Sequence, residues 1–318
     1  MKHFTSFLIV LSVGAVIARA DFDIKVDDAK GEYVITENSV PVFQYNYKTV
    51  PLPEGYGDKI KDNKYARQYA VPRSNYIQPL FDFDGQPVTK DWSDDHPHHR
   101  GIYWAWPEVG YKGELADLHA LQKVFARPTG KISTSKTENG QFQLVAENVW
   151  KWKDEEPIVN ELVAFTVFPR GANGRKINFD LRLESLVDEV TIARRGTKAY
   201  GGLNIRMQPL ADWKASTLSE KENAAQNPAW VGASWKNPKS EGRTELTVFE
   251  KTTNPDYPGE FVQFPNLNWF QPTFPKSGTR YTLKKSEPLT LHLQLWLHDA
   301  SFDDEAKKKA WSEFNSKP

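Results

Sequence analysis

Between Leu289 and Asp299 the odd positions through 297 are all leucine, and the even ones are Thr290, His292, Gln294, Trp296 and His298. Side chains alternate across a β-strand with a period of two. Five leucines on one side therefore demand a sheet with a covered apolar face. A helix would scatter them around its cylinder. The even face, with two histidines, a glutamine and a tryptophan, reads either as a binding surface or as a second, partly polar packing layer.

The same alternation recurs. In 176–186, Ile177, Phe179, Leu181 and Leu183 oppose Asn178, Asp180, Arg182 and Glu184. Residues 31–48 read as a hairpin turning at Glu37-Asn38-Ser39, and 75–83, 141–152, 161–168, 203–207 and 244–251 read as further strands. Segments 49–70, 107–130, 211–243 and 254–275 are rich in Pro, Gly or mixed charge and read as loops. One helix is expected over 301–315, with Ser301 and Asp304 in a capping-box pattern and acidic residues in its first turn. No helices alternate with the strands, so a βαβ fold is excluded. The expectation is all-β: a large antiparallel β-sandwich with a short C-terminal helix, one domain over 21–318.

Residues 1–20 read as a secretory signal peptide: Lys2 and His3, an apolar run over 7–17, and the small-x-small site Ala18-Arg19-Ala20. The mature chain is expected in the periplasm or secreted medium, with no stable membrane insertion. The charge is balanced, 41 Lys+Arg against 41 Asp+Glu, which argues against a nucleic-acid partner. There is no cysteine, so disulfides and thiolate metal sites are excluded, and any divalent metal must be held by His, Asp, Glu or carbonyl groups.

Three of the seven histidines fall in one stretch, Asp91-Trp-Ser-Asp-Asp-His-Pro-His-His-Arg-Gly101, with three aspartates and Arg100. Pro97 biases His96 toward extended backbone. In extended geometry His96 and His98 share a side and make a His-x-His metal pair, with His99 pointing away. Glu161, His119, His292 or His298 would supply a third ligand, and Asp94 and Asp95 would hold ring N–H groups. The stretch also suits metal-free acid–base chemistry, with Arg100 or Arg206 receiving a carboxylate or an enolate-like charge. The plainest alternative is three histidines bonded within a buried turn.

Four segments carry a family resemblance: Asp95-His-Pro-His-His-Arg-Gly101, Tyr200-Gly-Gly-Leu-Asn-Ile-Arg206, Asn254-Pro-Asp-Tyr-Pro258 and Leu295-Trp-Leu-His-Asp299. In this order they resemble an exported bacterial family of unknown function often labelled "methane oxygenase PmoA". That label belongs to an integral membrane protein, whereas this chain has no apolar stretch of spanning length. The resemblance instead implies a fold similar to the galactose-mutarotase-like supersandwich, in exported proteins of glycan-degrading bacteria. Its matched positions are Asp95, His96, His98, His99, Arg100, Arg206, Asn254 and His298.

The reading is a carbohydrate-active enzyme, hydrolase or lyase. Its catalytic or metal centre draws on His96, His98, His99, Arg100, Arg206 and His298. Eleven tryptophans supply candidate sugar platforms: Trp104, Trp106, Trp269 and Trp296, with Asn204, Asn254 and His292 as polar contacts. The alternatives are a non-catalytic carbohydrate-binding protein and a purely structural β protein.

Overall fold

The leucine-faced strand, Leu289–Asp299, lies inside an eight-stranded antiparallel sheet in a computed structural model that describes residues 20–217, 230–239 and 241–316. The expected leader, apart from Ala20, lies outside the described residues. So do 218–229 and 240, within the segment expected as a loop. The order in this sheet is Lys214–Thr217, Trp230–Lys236, Arg243–Glu250, Leu289–Asp299, Arg175–Ser185, Glu156–Val167, Phe142–Trp152 and Val124–Lys136. A second eight-stranded sheet runs Phe22–Asp27, Glu32–Glu37, Val40–Asn46, Tyr76–Leu80, Ile102–Ala105, Gly202–Arg206, Trp269–Thr273 and Glu260–Phe264. A small third sheet joins Tyr281–Thr282, Thr191–Ala193, Glu108–Tyr111 and Glu114–Ala116. The all-β antiparallel sandwich and its C-terminal helix are as the alternation implies.

The two large sheets bury their facing sides against each other. All five leucines join the core, and Phe179 stands opposite Leu293 in register. From the other sheet Trp104 packs on Phe165 and Phe179, at ring centroid distances of 5.9 and 5.1 Å. Trp106 packs on Trp150 at 5.7 Å and donates its Nε1–H to the Phe274 carbonyl at 2.7 Å. Trp104 and Trp106, expected as sugar platforms, are therefore core residues, because strand parity turns 102, 104 and 106 inward. Glu161 is also interior. Its carboxylate accepts N–H groups from Asn75, Asn148 and Trp150, so it is spent inside the sandwich and ligates nothing in the histidine stretch.

The even face of Leu289–Asp299 is the second packing layer. Helix α3 (Asp304–Asn315) lies over it, and Trp230, Phe249, Trp296, Ala310 and Phe314 form an apolar cluster beneath. Asp303, not Ser301, caps the helix by accepting the Ala306 N–H at 2.9 Å. Lys307 reaches down from α3 to Glu245 at 2.9 Å, both side chains buried.

The four segments expected as loops hold regular structure. Residues 49–70 contain two short helices, α1 (Tyr56–Lys59) and α2 (Lys64–Tyr69); 107–130 contains two strands of the small sheet and the start of Val124–Lys136; 211–243 contains Lys214–Thr217 and Trp230–Lys236; 254–275 contains Glu260–Phe264 and Trp269–Thr273. In Trp269–Thr273 every residue is buried on both sides of the strand. Such a strand shows no polar–apolar alternation and escapes a period-two reading.

Candidate metal and ligand site

The 91–101 stretch closes on itself. The Gly101 N–H donates to the Lys90 carbonyl at 2.8 Å, and the Arg206 N–H donates to the Gly101 carbonyl at 2.8 Å. Gly101 has φ +53°, and a Cβ there would overlap the Ile77 carbonyl, so only glycine lets the loop dock this tightly. Arg100 braces the ring from within. Its guanidinium pairs with Asp91, bonds the Tyr76 hydroxyl and lies 3.5 Å over the Trp92 ring. Arg100 is thus committed to holding the loop rather than facing the histidines.

Inside the ring the backbone turns instead of extending. The His99 N–H donates to the His96 carbonyl at 2.9 Å, and Ser93 Oγ donates to that same carbonyl at 3.2 Å. This turn corrects the expected His96/His98 pair, because it rotates His99 onto the side of His98 and leaves His96 at the rim. His96 Nδ1 there lies 3.2 Å from the Asp95 carboxylate. The third ring comes from His119, held by the tight 117–122 turn. Asp117 and Gln122 exchange backbone hydrogen bonds, and the Asp117 carboxylate accepts the Ala120 N–H at 2.8 Å.

His98, His99 and His119 each offer a ring nitrogen, and these nitrogens lie within 4.8 Å of one another. All three rings are buried, and burial pushes each pKa down: His98 to about 3, His99 and His119 well below the ordinary value, with neighbouring His and Arg charges adding to the effect. The rings are neutral at pH 7, the form that ligates a metal. Their Nδ1 atoms have no hydrogen-bond partner among the described residues. His119 Nε2 faces Asn204 Oδ1 at 3.2 Å and the Tyr103 hydroxyl at 2.8 Å. A proton on Nε2, donated to Asn204, frees the Nδ1 lone pair, the arrangement by which outer groups fix a metal-binding tautomer. The residues present therefore fit a divalent metal.

The wall beside the rings is the outer face of the second sheet. Tyr103 pairs with Asn204 and Arg206 with Trp269, and strand parity sets all four on the side of the sheet opposite Ile102 and Trp104. Trp269 sits 4.6 Å from His99 and 6.0 Å from His119 by ring centroids. Tyr69 covers His98 at 4.8 Å, Tyr200 covers His119 at 5.0 Å, and the half-exposed Tyr65 stands at the rim. Tyr103, Tyr69, Tyr200 and the second-sheet wall residue Gln271 were not anticipated. Tyr200 at least stood in the Tyr200–Arg206 motif, while Tyr69 lay in a segment read as loop.

Asn204, Arg206 and Trp269 thus gather with His98 and His99, whereas His292, Trp296, His298 and Asn254 do not. The last four lie on the opposite outer surface. His292 pairs with Asp180. Trp296 is buried under α3 and donates Nε1–H to the Asn173 carbonyl at 2.6 Å. His298 stacks on Trp296 and meets Thr247 Oγ1 at 2.9 Å. Asn254 exchanges two hydrogen bonds with the His292 backbone, at 2.8 and 2.9 Å.

Beside Asn254, burial raises the Glu250 carboxyl to about 7, with the Asp256 charge adding to this, although the Gly259 N–H donates to it at 2.8 Å. A raised folded-state pKa contributes stability that is complete below the unfolded value, near 4.3, and is lost as pH rises toward 7. Glu250→Gln is therefore expected to gain stability over the native protein between pH 5 and pH 8, by up to about 3 kcal/mol. Denaturant titrations at the two pH values measure the gain, and a constant offset between the curves would contradict it.

No curated protein matches the chain. Among solved structures it is similar to a putative kojibiose phosphorylase from human microbiome (TM-score 0.36, 7% identity, 91% of this chain and 32% of that one). It is also similar to the GH36 alpha-galactosidase AgaB from Geobacillus stearothermophilus (TM-score 0.41, 11% identity, 87% of this chain and 41% of that one). The chain spans less than half the length of either, and at these scores neither chemistry nor ligand is carried over. A family model matches residues 32–312, nearly the whole described chain, and on that match the protein belongs to a family of unknown function, DUF6807.

Proposed function

We propose that this protein is an exported, metal-assisted carbohydrate-active enzyme, a glycoside hydrolase or a polysaccharide lyase, working at His98, His99 and His119. One observation carries the reading. Three buried, neutral imidazoles bring ring nitrogens within 4.8 Å of one another, their Nδ1 atoms have no partner among the described residues, and leaving buried polar atoms unpaired costs about 1–3 kcal/mol each. An all-imidazole set favours a zinc-like ion over calcium or magnesium. Such an ion supplies Lewis acidity or a bound water of lowered pKa. The chain's own residues would do the rest: Asn204 orients His119, Trp269, held between Phe264 and His99, fixes the His99 ring, and Tyr65, Tyr69 and Tyr200 shield the rings from water.

The leader reading places the protein in the periplasm or outside the cell, as a single domain over 21–318. No helix among the described residues is long and apolar enough to cross a membrane. The resemblance to the supersandwich of galactose mutarotases belongs to the same proposal.

Elemental analysis of the purified protein, joined to turnover of a panel of plant and bacterial glycans, tests it. The expected result is about one equivalent of transition metal per chain, with turnover that chelation removes and metal restores. Turnover that survives complete chelation would remove the metal from the mechanism. Sugar binding that tolerates replacement of all three histidines, without turnover, would favour a binding module.

A further inference from the structure

We infer that the ligand of this site bears a carboxylate, as a uronic acid does, and that Arg206, Gln271 and Trp269 receive it beside the histidines. The inference rests on the metal-assisted reading and narrows its substrate class.

Unsatisfied donors line one wall. Arg206 gives Nη2 to both Asp95 oxygens, at 3.0 and 3.1 Å. Its Nε and Nη1 are buried without a partner among the described residues, as are Trp269 Nε1 and both polar atoms of the Gln271 side chain. Arg206 stands opposite Trp269, and the same register sets Asn204 opposite Gln271. Asn204 touches His119 and Trp269 touches His99, so these donors share one face with the three rings. Gln271 is fully buried. A buried amide with neither end satisfied is rare in a finished structure unless a ligand completes it.

Charge points the same way. Arg206 is balanced by Asp95 and Arg195 by Asp117. Arg73, also buried, bonds the Leu118 and His119 carbonyls, lies over Tyr103 and pairs with no carboxylate among the described residues, so among these one positive charge is left over. Neutral imidazoles offset none of a metal's charge. A buried surplus of positive charge calls for an anion. Planar donors of the guanidinium and amide kind match a carboxylate. The Asp95 carboxylate on the same guanidinium disfavours a dianion such as phosphate.

Calorimetry of the purified protein with D-galacturonate, D-galactose, D-glucuronate, D-glucose and inorganic phosphate tests this, with metal content measured on the same samples. At least one uronate is expected to bind roughly tenfold or more tighter than its neutral parent. Arg206→Gln should erase that difference with metal content unchanged. Gln271→Leu, which keeps the buried volume, should lower the ratio of uronate to neutral-sugar affinity. Equal binding of acid and neutral sugar, no binding of either uronate at millimolar concentration, tighter binding of phosphate, or an acid preference that survives both substitutions would each overturn the inference. A retained acid preference in protein without metal would instead sink the metal-assisted reading and leave this one standing.

Discussion

His98→Ala is expected to empty the metal site while leaving the fold intact. The His98 ring contacts Tyr65, Tyr69, His96, His99 and His119, and its Nδ1 bonds nothing among the described residues. Truncation therefore strands no hydrogen-bond partner. Even outer-shell substitutions reduce metal affinity about 10–100-fold, so loss of a ligand should exceed roughly a hundredfold. Turnover should fall with it, and the melting temperature of the metal-free protein should move little. His119→Ala is the informative contrast. It also empties the site, but it deprives the Tyr103 hydroxyl and Asn204 Oδ1 of their partner. That should destabilise the metal-free protein by about 1–3 kcal/mol. Metal titration and thermal melts of the two variants separate the effects. Full metal occupancy in His98→Ala would show that this ring is not a ligand.

The largest loss of stability is expected far from the site, at Glu37→Ala. Glu37 ends a strand of one large sheet and Arg175 begins a strand of the other. Their side chains meet at 2.7 Å, 4% and 3% exposed respectively. Glu37 also accepts the Arg170 N–H at 2.8 Å. Removing one member of a buried pair leaves an uncompensated charge and costs about 3–5 kcal/mol. For a chain of this size that lowers the melting temperature by on the order of 10 °C. Replacing Asp27, whose pairing with Lys30 is solvent-exposed, should change almost nothing. Denaturant unfolding checks both, and a shift of only a degree or two for Glu37→Ala would refute the argument.

The architecture was legible where one face of a strand is buried and the other wet. Leu289–Asp299 and Arg175–Ser185 announce themselves by alternation, and the caps of α3 nearly so. Trp269–Thr273 does not, because both of its faces are covered. The site was legible in composition but not in conformation. The density of titratable groups over 91–101 picked out the loop that carries two of the three converging imidazoles, and His119 stood among the possible third ligands. The choice between His96 and His99 depended on a tight turn that Pro97 alone does not encode. The even face of 289–299 misled because a polar outer face is ambiguous in sequence: here it is the bed of a helix. Trp104 and Trp106 misled for the opposite reason, since a large aromatic ring serves a core as readily as a ligand.

His99 and His119 are twenty positions apart, in a chain with no cysteine. An ion bound to both would fasten the intervening segment into a closed loop, as a disulfide does elsewhere. Cross-linking a loop of that size restricts the unfolded chain by about 3 kcal/mol in the loop-entropy account. Binding only to the folded site adds a further, concentration-dependent resistance to unfolding. The histidine group would then be a reversible staple, set by the supply of metal rather than by redox state.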